Sequence, residues 1–300
     1  MDHPTDKLKD FLEQRQNNED FILDTSVLRD RFFIEKGILQ YLYDKSKIDH
    51  VDENVLEASI ETFEKFTEII GIPHVYTIKE TRDETKILQS KLVEHYKFYK
   101  ANDKGSRRER NGLQLMERLN NTVFELLNTM ASNEIHFYGD FYNSILKCVE
   151  LVSKKFDRNW SERTWTFDGH KREKPKIRNC LGTDEKIIAA SLCKAYTEEK
   201  DVSIIANDSR MIDKAGIAYH LISHPALFYG LTKLRERGVR IYRINSQCEI
   251  HHAKNPQIWK PREKFSFFNV SQKENKDLKY EFDTILYHGQ KENDPHERRD

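Results

Sequence analysis

The stretch FILDTSVL, residues 21–28, carries the pattern that decides the fold. The three consecutive apolar residues, Phe21 to Leu23, are typical of a short strand buried inside a sheet. The polar residues Asp24 to Ser26 then end the strand in a turn. From Val27 onward, apolar residues recur at the spacing of a helix. The stretch therefore predicts a buried strand, a polar turn at its carboxyl end and a helix.

Three further strands are predicted along the chain, over residues 74–78, 202–206 and 239–244. Segments with helical spacing separate them, among them the apolar stripe from Leu56 to Ile70. Strands that alternate with helices favour a mostly parallel sheet. We therefore predict the α/β class, with a central, mostly parallel sheet flanked by helices. In such sheets, ligands bind at the carboxyl ends of the strands.

The remaining helices are predicted from periodicity and from breaking residues. They cover residues 80–99, 112–131, 137–156 and 209–216. Gly216 is expected to end the last of these, and Thr183 is expected to be the N-cap of a further helix. Residues 157–180 mix polar and aromatic side chains and receive no assignment.

Composition indicates a folded, strongly helical protein. Of the 300 residues, 37% are hydrophobic and 33% charged, and 17 Phe and 13 Tyr supply apolar bulk that a disordered chain would lack. We find no signal peptide and no apolar run of membrane-spanning length, and the four cysteines show no CxxC pair, so we expect a soluble cytoplasmic protein without structural zinc. Lys+Arg and Asp+Glu both total 50, so the net charge neither favours nor excludes a nucleic-acid partner. The oligomeric state is left open, a homo-oligomer included.

Four acidic residues lie where a parallel sheet would gather ligands. Asp24 and Asp208 follow apolar strands, Glu84 lies about one helical turn beyond the second strand, and Asp184 begins a helix. Carboxylates that converge at one edge repel one another unless a cation neutralises them, and Mg²⁺ and Mn²⁺ prefer oxygen ligands. Each acid also has a structural explanation, as a turn former, a helix-start residue or a surface charge, and Glu80 is the alternative to Glu84. Only the ordered set favours a metal site.

The segments around these acids resemble, in order, the four motifs of PIN-domain nucleases. FILDTSVL is similar to the first motif and YTIKETRDETKIL to the second, while TDEKIIAASL and VSIIANDSRMIDKA are similar to the third and fourth. The resemblance implies a PIN-like nuclease domain over residues 18–245. Residues 91–180 would be a mainly helical insertion, and residues 246–300 a C-terminal extension that is partly β or disordered.

The resemblance implies a metal-dependent ribonuclease that hydrolyses phosphodiester bonds with Mg²⁺ or Mn²⁺ as cofactor. Asp24 would be the central metal ligand, Asp184 and Asp208 would bind the metal directly or through water, and Glu84 would bind it or orient the water. Four polar neighbours would support these ligands or contact phosphate. They are Thr25, Ser26, Asn207 and Ser209.

The unassigned region is the candidate nucleic-acid surface, with RNA as the expected partner. It interleaves Trp160 and Trp165 with basic residues, and aromatic faces stack on unpaired bases while cations follow the phosphates. A solvated charged loop explains the same composition equally well. The candidate contacts are Arg158, Arg163, Lys171, Arg172, Lys174 and Lys176.

Two other functions stay open. A PIN-like scaffold with a decayed site would bind RNA or protein without cleavage; the large insertion favours this function, and the presence of all four acids disfavours it. The segment VSIIANDSRMIDKAGIAYHL, which begins at Val202, also resembles the last motif of haloacid-dehalogenase-like phosphatases. In a phosphatase of that family, Asp24 would accept a phosphoryl group. That family has a second Asp two residues later, where this chain has Ser26, and it gives TDEKIIAASL no role.

Overall fold

The structure is a computed structural model, and it describes seven ranges of the chain. They are residues 4–15, 19–28, 53–101, 107–156, 182–223, 239–244 and 250–252. The predicted insertion lies only partly within these ranges, and nearly all of the predicted C-terminal extension lies outside them.

Helices dominate the described residues. The helices are α1 (Pro4–Glu13), α2 (Glu53–Ile70), α3 (Lys79–Ala101), α4 (Arg107–Ser132), α5 (Asp140–Phe156), α6 (Thr183–Thr197) and α7 (Ser209–Ser223). The strands are β1 (Glu19–Leu23), β2 (Val75–Tyr76), β3 (Asp201–Ala206), β4 (Val239–Ile244) and β5 (Ile250–His252). A helical turn over residues 25–28 follows β1.

The strands form one sheet in the order β2-β1-β3-β4-β5. Four of them run parallel, and the short edge strand β5 runs antiparallel to β4, with Tyr242 opposite His252. In the parallel pair β1–β2, Phe21 lies opposite Val75. The predicted α/β class, a mostly parallel sheet flanked by helices, is thereby confirmed.

All five residues of β1 are buried, which explains the unbroken apolar run of the sequence. A parallel strand with both faces covered has no solvent side on which polar residues could alternate. The two residues that begin the strand are acidic and buried, and both have partners. Ser203 donates its hydroxyl hydrogen to Glu19, and Asp20 lies 3.1 Å from Nδ1 of His74.

The described residues divide between two compact units. The first unit takes its residues from Met1–His136, Ser203–Asp208 and Tyr242–His252. The second takes its described residues from Phe137–Val202 and Ser209–Ile241.

Helix α2 supplies a stripe of the first unit's core and packs against α1 and α4. Its main buried apolar residues recur every three or four positions, as an amphipathic helix requires. They are Leu56, Ile60, Phe63, Phe66, Ile69 and Ile70. The helix ends at Ile70. The N–H of Gly71 still donates to the carbonyl of Thr67 at 3.0 Å, and Pro73 disfavours further helix.

The chain after α4 lies beside β2 in the first unit. Thr77 donates its N–H to the carbonyl of Asn133 at 3.1 Å, and Ile135 donates its N–H to the carbonyl of Thr77 at 2.9 Å. Thr77 and Glu134 thereby form an isolated parallel bridge. The side-chain amide of Asn133 also donates to the carbonyl of Ile70 at 2.9 Å, which ties the ends of α2 and α4 together. The edge of the sheet thus extends past β2.

Helices α5, α6 and α7 pack against one another in the second unit. Helix α6 is buried from Ile187 to Ala195, as its run of small and branched residues predicts. Cys148 and Cys193 are free thiols in this core, and burial raises the pKa of both. Neither thiol is therefore an effective nucleophile in the folded protein.

Two predicted helix boundaries in the second unit are wrong. The N-cap of α6 is Gly182 rather than Thr183, and no side chain caps the helix. Helix α7 runs through Gly216 to Ser223 instead of ending at Gly216. Ala215, Ala218 and Ile222 are buried, and this packing offsets the low helix propensity of glycine.

The other predicted helices correspond to α3, α4 and α5, with shifted ends. Helix α4 begins at Arg107, five residues earlier than the periodicity predicts, and α3 continues to Ala101. Helix α1, which the sequence pattern did not predict, buries Leu8 and Leu12. Among the described residues, no helix combines the length and the apolar character needed to cross a membrane.

Candidate functional site

Asp24 lies at the carboxyl end of β1, in the first unit, and its side chain is buried. Its backbone N–H donates to the carbonyl of Ile205 on β3 at 3.0 Å. Its Oδ2 accepts hydrogen bonds from the N–H of Ser26, at 3.0 Å, and from the Ser26 hydroxyl. Asp24 is therefore the N-cap of the helical turn over residues 25–28. Asp24 therefore has a structural role at the start of this helical turn, which does not by itself exclude a role as a metal ligand.

The Ser26 hydroxyl connects the ends of two neighbouring strands. It donates its hydrogen to Asp24, and its oxygen accepts the backbone N–H groups of Asn207 at 2.9 Å and of Asp208 at 3.2 Å. Asn207 and Asp208 follow β3 directly, and Asp208 is exposed. The structure therefore brings together the first and fourth predicted motifs, as expected for the carboxyl edge of a parallel sheet.

Thr25 adds a buried oxygen to this edge. Its Oγ1 finds no hydrogen-bond partner among the residues that the structure describes. A buried hydroxyl without a partner costs free energy, so water, an ion or a ligand usually satisfies such a group. Of the other predicted supporting residues, Ser209 begins α7.

The second predicted acid is on α3. Glu84 is exposed on the second turn of this helix, and Glu80 is half-buried on its first turn. The choice between the two remains a prediction.

Glu134 is an acidic residue in the first unit that lies outside the four motifs. Its side chain is buried beside Thr77, with one oxygen 3.0 Å from Nη2 of Arg82 and the other 3.4 Å from Nδ1 of His136. No sequence signal pointed to it, because only the bridge to Thr77 brings residue 134 to the sheet.

Asp184 lies in the second unit, in the first turn of α6, where its charge is favourable to the helix dipole. Its Oδ2 is 3.1 Å from Nζ of Lys214 on α7. The same ammonium is 3.1 Å from Oε1 of the buried Glu185, which also accepts a hydrogen bond of 2.5 Å from Ser153. Desolvation lowers the pKa of Lys214, but the attraction of Asp184 and Glu185 outweighs it, so the pKa lies above its ordinary value. Lys214 is thus held as a cation.

The residues at the edge of β1 and β3 can be compared with the needs of a divalent cation. Within the described ranges, no group of three or more His, Cys, Asp or Glu side chains is arranged to hold a metal ion. Mg²⁺ often binds through one or two carboxylates, with water and substrate phosphates completing its shell. Asp24 and Asp208 offer carboxylates, and Thr25 offers a hydroxyl without a partner among the described residues. The donor chemistry therefore fits a hard cation with few protein ligands.

The predicted nucleic-acid contacts lie outside the described residues, all within 157–181. The chain matches no protein-family model, no curated protein and no solved structure. The resemblance to PIN domains therefore rests on the four sequence motifs.

Proposed function

We propose that this protein is a metal-dependent ribonuclease of the PIN-like class, with Asp24 at the centre of its active site. The observation that carries the proposal is the Ser26 hydroxyl, which joins Asp24 to the backbone of Asn207 and Asp208. A buried carboxylate and an exposed one thereby follow neighbouring strands at the edge where α/β sheets bind ligands.

The chemistry would combine a hard cation with carboxylates of this edge. When bound, Mg²⁺ or Mn²⁺ supplies an activated water and stabilises charge on the scissile phosphate. Asp24 would hold the cation, because its side chain is buried and its Oδ2 is fixed by Ser26. Asp208 is exposed and would meet both solvent and substrate. The hydroxyl of Thr25 would contact a phosphate oxygen or a bound water.

The further ligands and the substrate are proposed on the resemblance alone. They are Asp184 and Glu84 as additional carboxylates, with Asn207 and Ser209 near the phosphate. RNA is proposed as the substrate because the resembling family usually acts on it. The basic and aromatic residues between 157 and 178 would bind single-stranded segments.

Cleavage by the Asp24→Asn variant tests the proposal. Labelled single-stranded RNA, structured RNA and DNA are incubated with the protein in Mn²⁺, Mg²⁺ or EDTA. We expect RNA cleavage that needs the metal and that falls by about 100-fold or more in Asp24→Asn, since even residues that only support a metal ligand contribute about 10–100-fold. The asparagine keeps the N-cap hydrogen bond, so the fold is retained.

Asp20→Asn is the matched control, because Asp20 is equally buried at the opposite end of the same strand. This variant should cleave RNA at the normal rate. Cleavage by Asp24→Asn at the normal rate, or cleavage that persists in EDTA, would contradict the proposal. RNA binding without cleavage under all conditions would favour the alternative of a scaffold with a decayed site.

A further inference from the structure

Lys214 forms a buried ionic cluster with Asp184 and Glu185 in the second unit. The exposed fraction of its side chain is 7%, compared with 1% for Glu185 and 29% for Asp184. Its ammonium lies 3.1 Å from a carboxylate oxygen of each acid, and Ser153 donates to the oxygen of Glu185 that faces the ammonium. The Lys214 ammonium thus faces two carboxylates, and Asp184 is the more exposed of the two acids.

We propose that Lys214 is a positioning residue for Asp184: it fixes the Asp184 carboxylate and, through its positive charge, sets how tightly the first turn of α6 holds a divalent cation. The proposal rests on the proposed function, in which Asp184 is a metal ligand. It adds a residue that determines the affinity of that ligand without touching the metal.

Burial gives the Lys214 charge a large effect on Asp184. Unit charges a few ångströms apart interact several times more strongly near or within a protein than in bulk water. Lys214 is held from two sides, because Asp184 and Glu185 share its ammonium and Ser153 restrains Glu185. The second oxygen of Glu185 has no hydrogen-bond partner among the described residues, so the orientation of this acid depends on Lys214 and Ser153. A divalent cation near Asp184 would therefore meet a resident positive charge.

A purely structural role is the competing explanation, since Lys214 also joins α6 to α7. The two explanations differ in a measurable way. A structural cross-link affects stability and leaves the affinity of the folded protein for a cation unchanged. The positive charge of Lys214 competes with a divalent cation for Asp184, so replacing Lys214 by a neutral side chain raises the affinity.

Measuring Mn²⁺ binding to the full chain distinguishes the structural role from the positioning role. The free Mn²⁺ is quantified by its electron paramagnetic resonance signal. We expect Lys214→Met to bind Mn²⁺ roughly tenfold more tightly than the unmodified protein, because the positive charge of Lys214 no longer opposes a cation at Asp184. The double variant Lys214→Met/Asp184→Asn should lose this increase in Mn²⁺ affinity. Lys214→Arg keeps the charge and should bind Mn²⁺ like the unmodified protein.

Lys194→Met is the matched control. Lys194 is also buried in the second unit, and its ammonium is 2.7 Å from both oxygens of Glu198 on the same helix. Its replacement should leave Mn²⁺ affinity unchanged. Glu185→Gln is the reverse test, which keeps Lys214 paired with Asp184 and does not bury an uncompensated charge. We expect it to weaken Mn²⁺ binding several-fold.

Unchanged Mn²⁺ affinity in folded Lys214→Met, or in Glu185→Gln, would overturn the proposal. This result can be distinguished from failure of the proposed function, because it is measured as Asp184-dependent Mn²⁺ binding, whereas the proposed function is measured as RNA cleavage. Absence of RNA cleavage together with raised Mn²⁺ affinity in Lys214→Met would contradict the nuclease proposal and support the role of Lys214. Normal metal-dependent cleavage together with unchanged Mn²⁺ affinity in Lys214→Met and Glu185→Gln would support the nuclease proposal and contradict the role of Lys214.

Discussion

Two acidic turns in this protein are held in different ways. At the end of β1, Asp24 accepts hydrogen bonds from the neutral hydroxyl and amide groups of Ser26. In the first turn of α6, Asp184 and its neighbour Glu185 share a buried ammonium from Lys214. Neutral donors orient a carboxylate and leave its charge in place, whereas a lysine orients it and also offsets part of the negative charge. The two acids, which look alike in sequence, therefore differ in what their charge does.

The largest expected effect is a difference in stability between Asp184→Asn and Asp24→Asn. Asp184→Asn removes one partner of a buried cation and a favourable charge at a helix start, so we expect a loss of about 2–3 kcal/mol in the free energy of unfolding. Asp24→Asn keeps the N-cap bond and relieves repulsion at the edge of the sheet. Its stability should be unchanged or slightly raised. Urea unfolding followed by circular dichroism measures both.

Asp201→Asn is the control for loss of an ion pair. Asp201 lies 2.8 Å from Nη2 of Arg240, and both side chains are partly exposed, so this pair should contribute at most about 1 kcal/mol. Equal losses in all three asparagine variants would contradict the comparison between the two turns.

A smaller effect is expected for Ser26→Ala. This change removes the acceptor of two backbone N–H groups and one donor to Asp24, and we expect a loss of about 1–2 kcal/mol. RNA cleavage should fall as well, because the ends of β1 and β3 are no longer tied together. Ser26→Thr keeps the hydroxyl and should restore most of both properties.

Ser90→Ala is the matched control for loss of a serine hydroxyl. Its Oγ donates to the carbonyl of Lys86 on an exposed face of α3, so its loss should change stability by no more than about 0.5 kcal/mol. If Ser26→Ala were as stable and as active as Ser90→Ala, the bridge between the strands would have no role.

The smallest expected effect concerns Gly182, the N-cap of α6. Its backbone, at φ −62° and ψ 146°, suits any residue, so glycine is not required for conformational freedom. A β-carbon there would collide with Oε2 of Glu185, whose other oxygen is held by Ser153 and Lys214. We expect Gly182→Ala to cost about 1 kcal/mol, the lower end of the range for overpacking. Thermal unfolding measures it.

A double-mutant cycle shows whether this cost arises from the ionic cluster. In a Glu185→Ala background the colliding atoms are absent, and the cost of Gly182→Ala should nearly vanish. A cost that stays the same in this background would mean that Glu185 moves aside freely, and the cluster would then be less rigid than its contacts indicate.

Local patterns predicted the parts of the fold that depend on nearest neighbours in the chain. The apolar run before Asp24 predicted β1, and the run from Val239 to Ile244 predicted β4 with its observed ends. The position of the polar residues also predicted that Asp24 and Asp208 each follow a strand, and the strand order of the sheet makes these two strands neighbours. The prediction of β1 succeeded because burial on both faces of a parallel strand leaves a continuous apolar signature.

The sequence by itself determined the α/β class, the positions of most helices and the two acids that follow β1 and β3. Only the tertiary structure decided that Ser26 bridges those strands, that Glu134 is buried beside Thr77, and that α7 continues through Gly216. It also decided that the Lys214 ammonium lies between Asp184 and Glu185. The physical reason is separation along the chain: Ser26 and Asn207 are 181 residues apart, and Lys214 and Asp184 are 30 apart. Periodicity reports which face of an element is buried, whereas the partner of a buried charge depends on packing between elements.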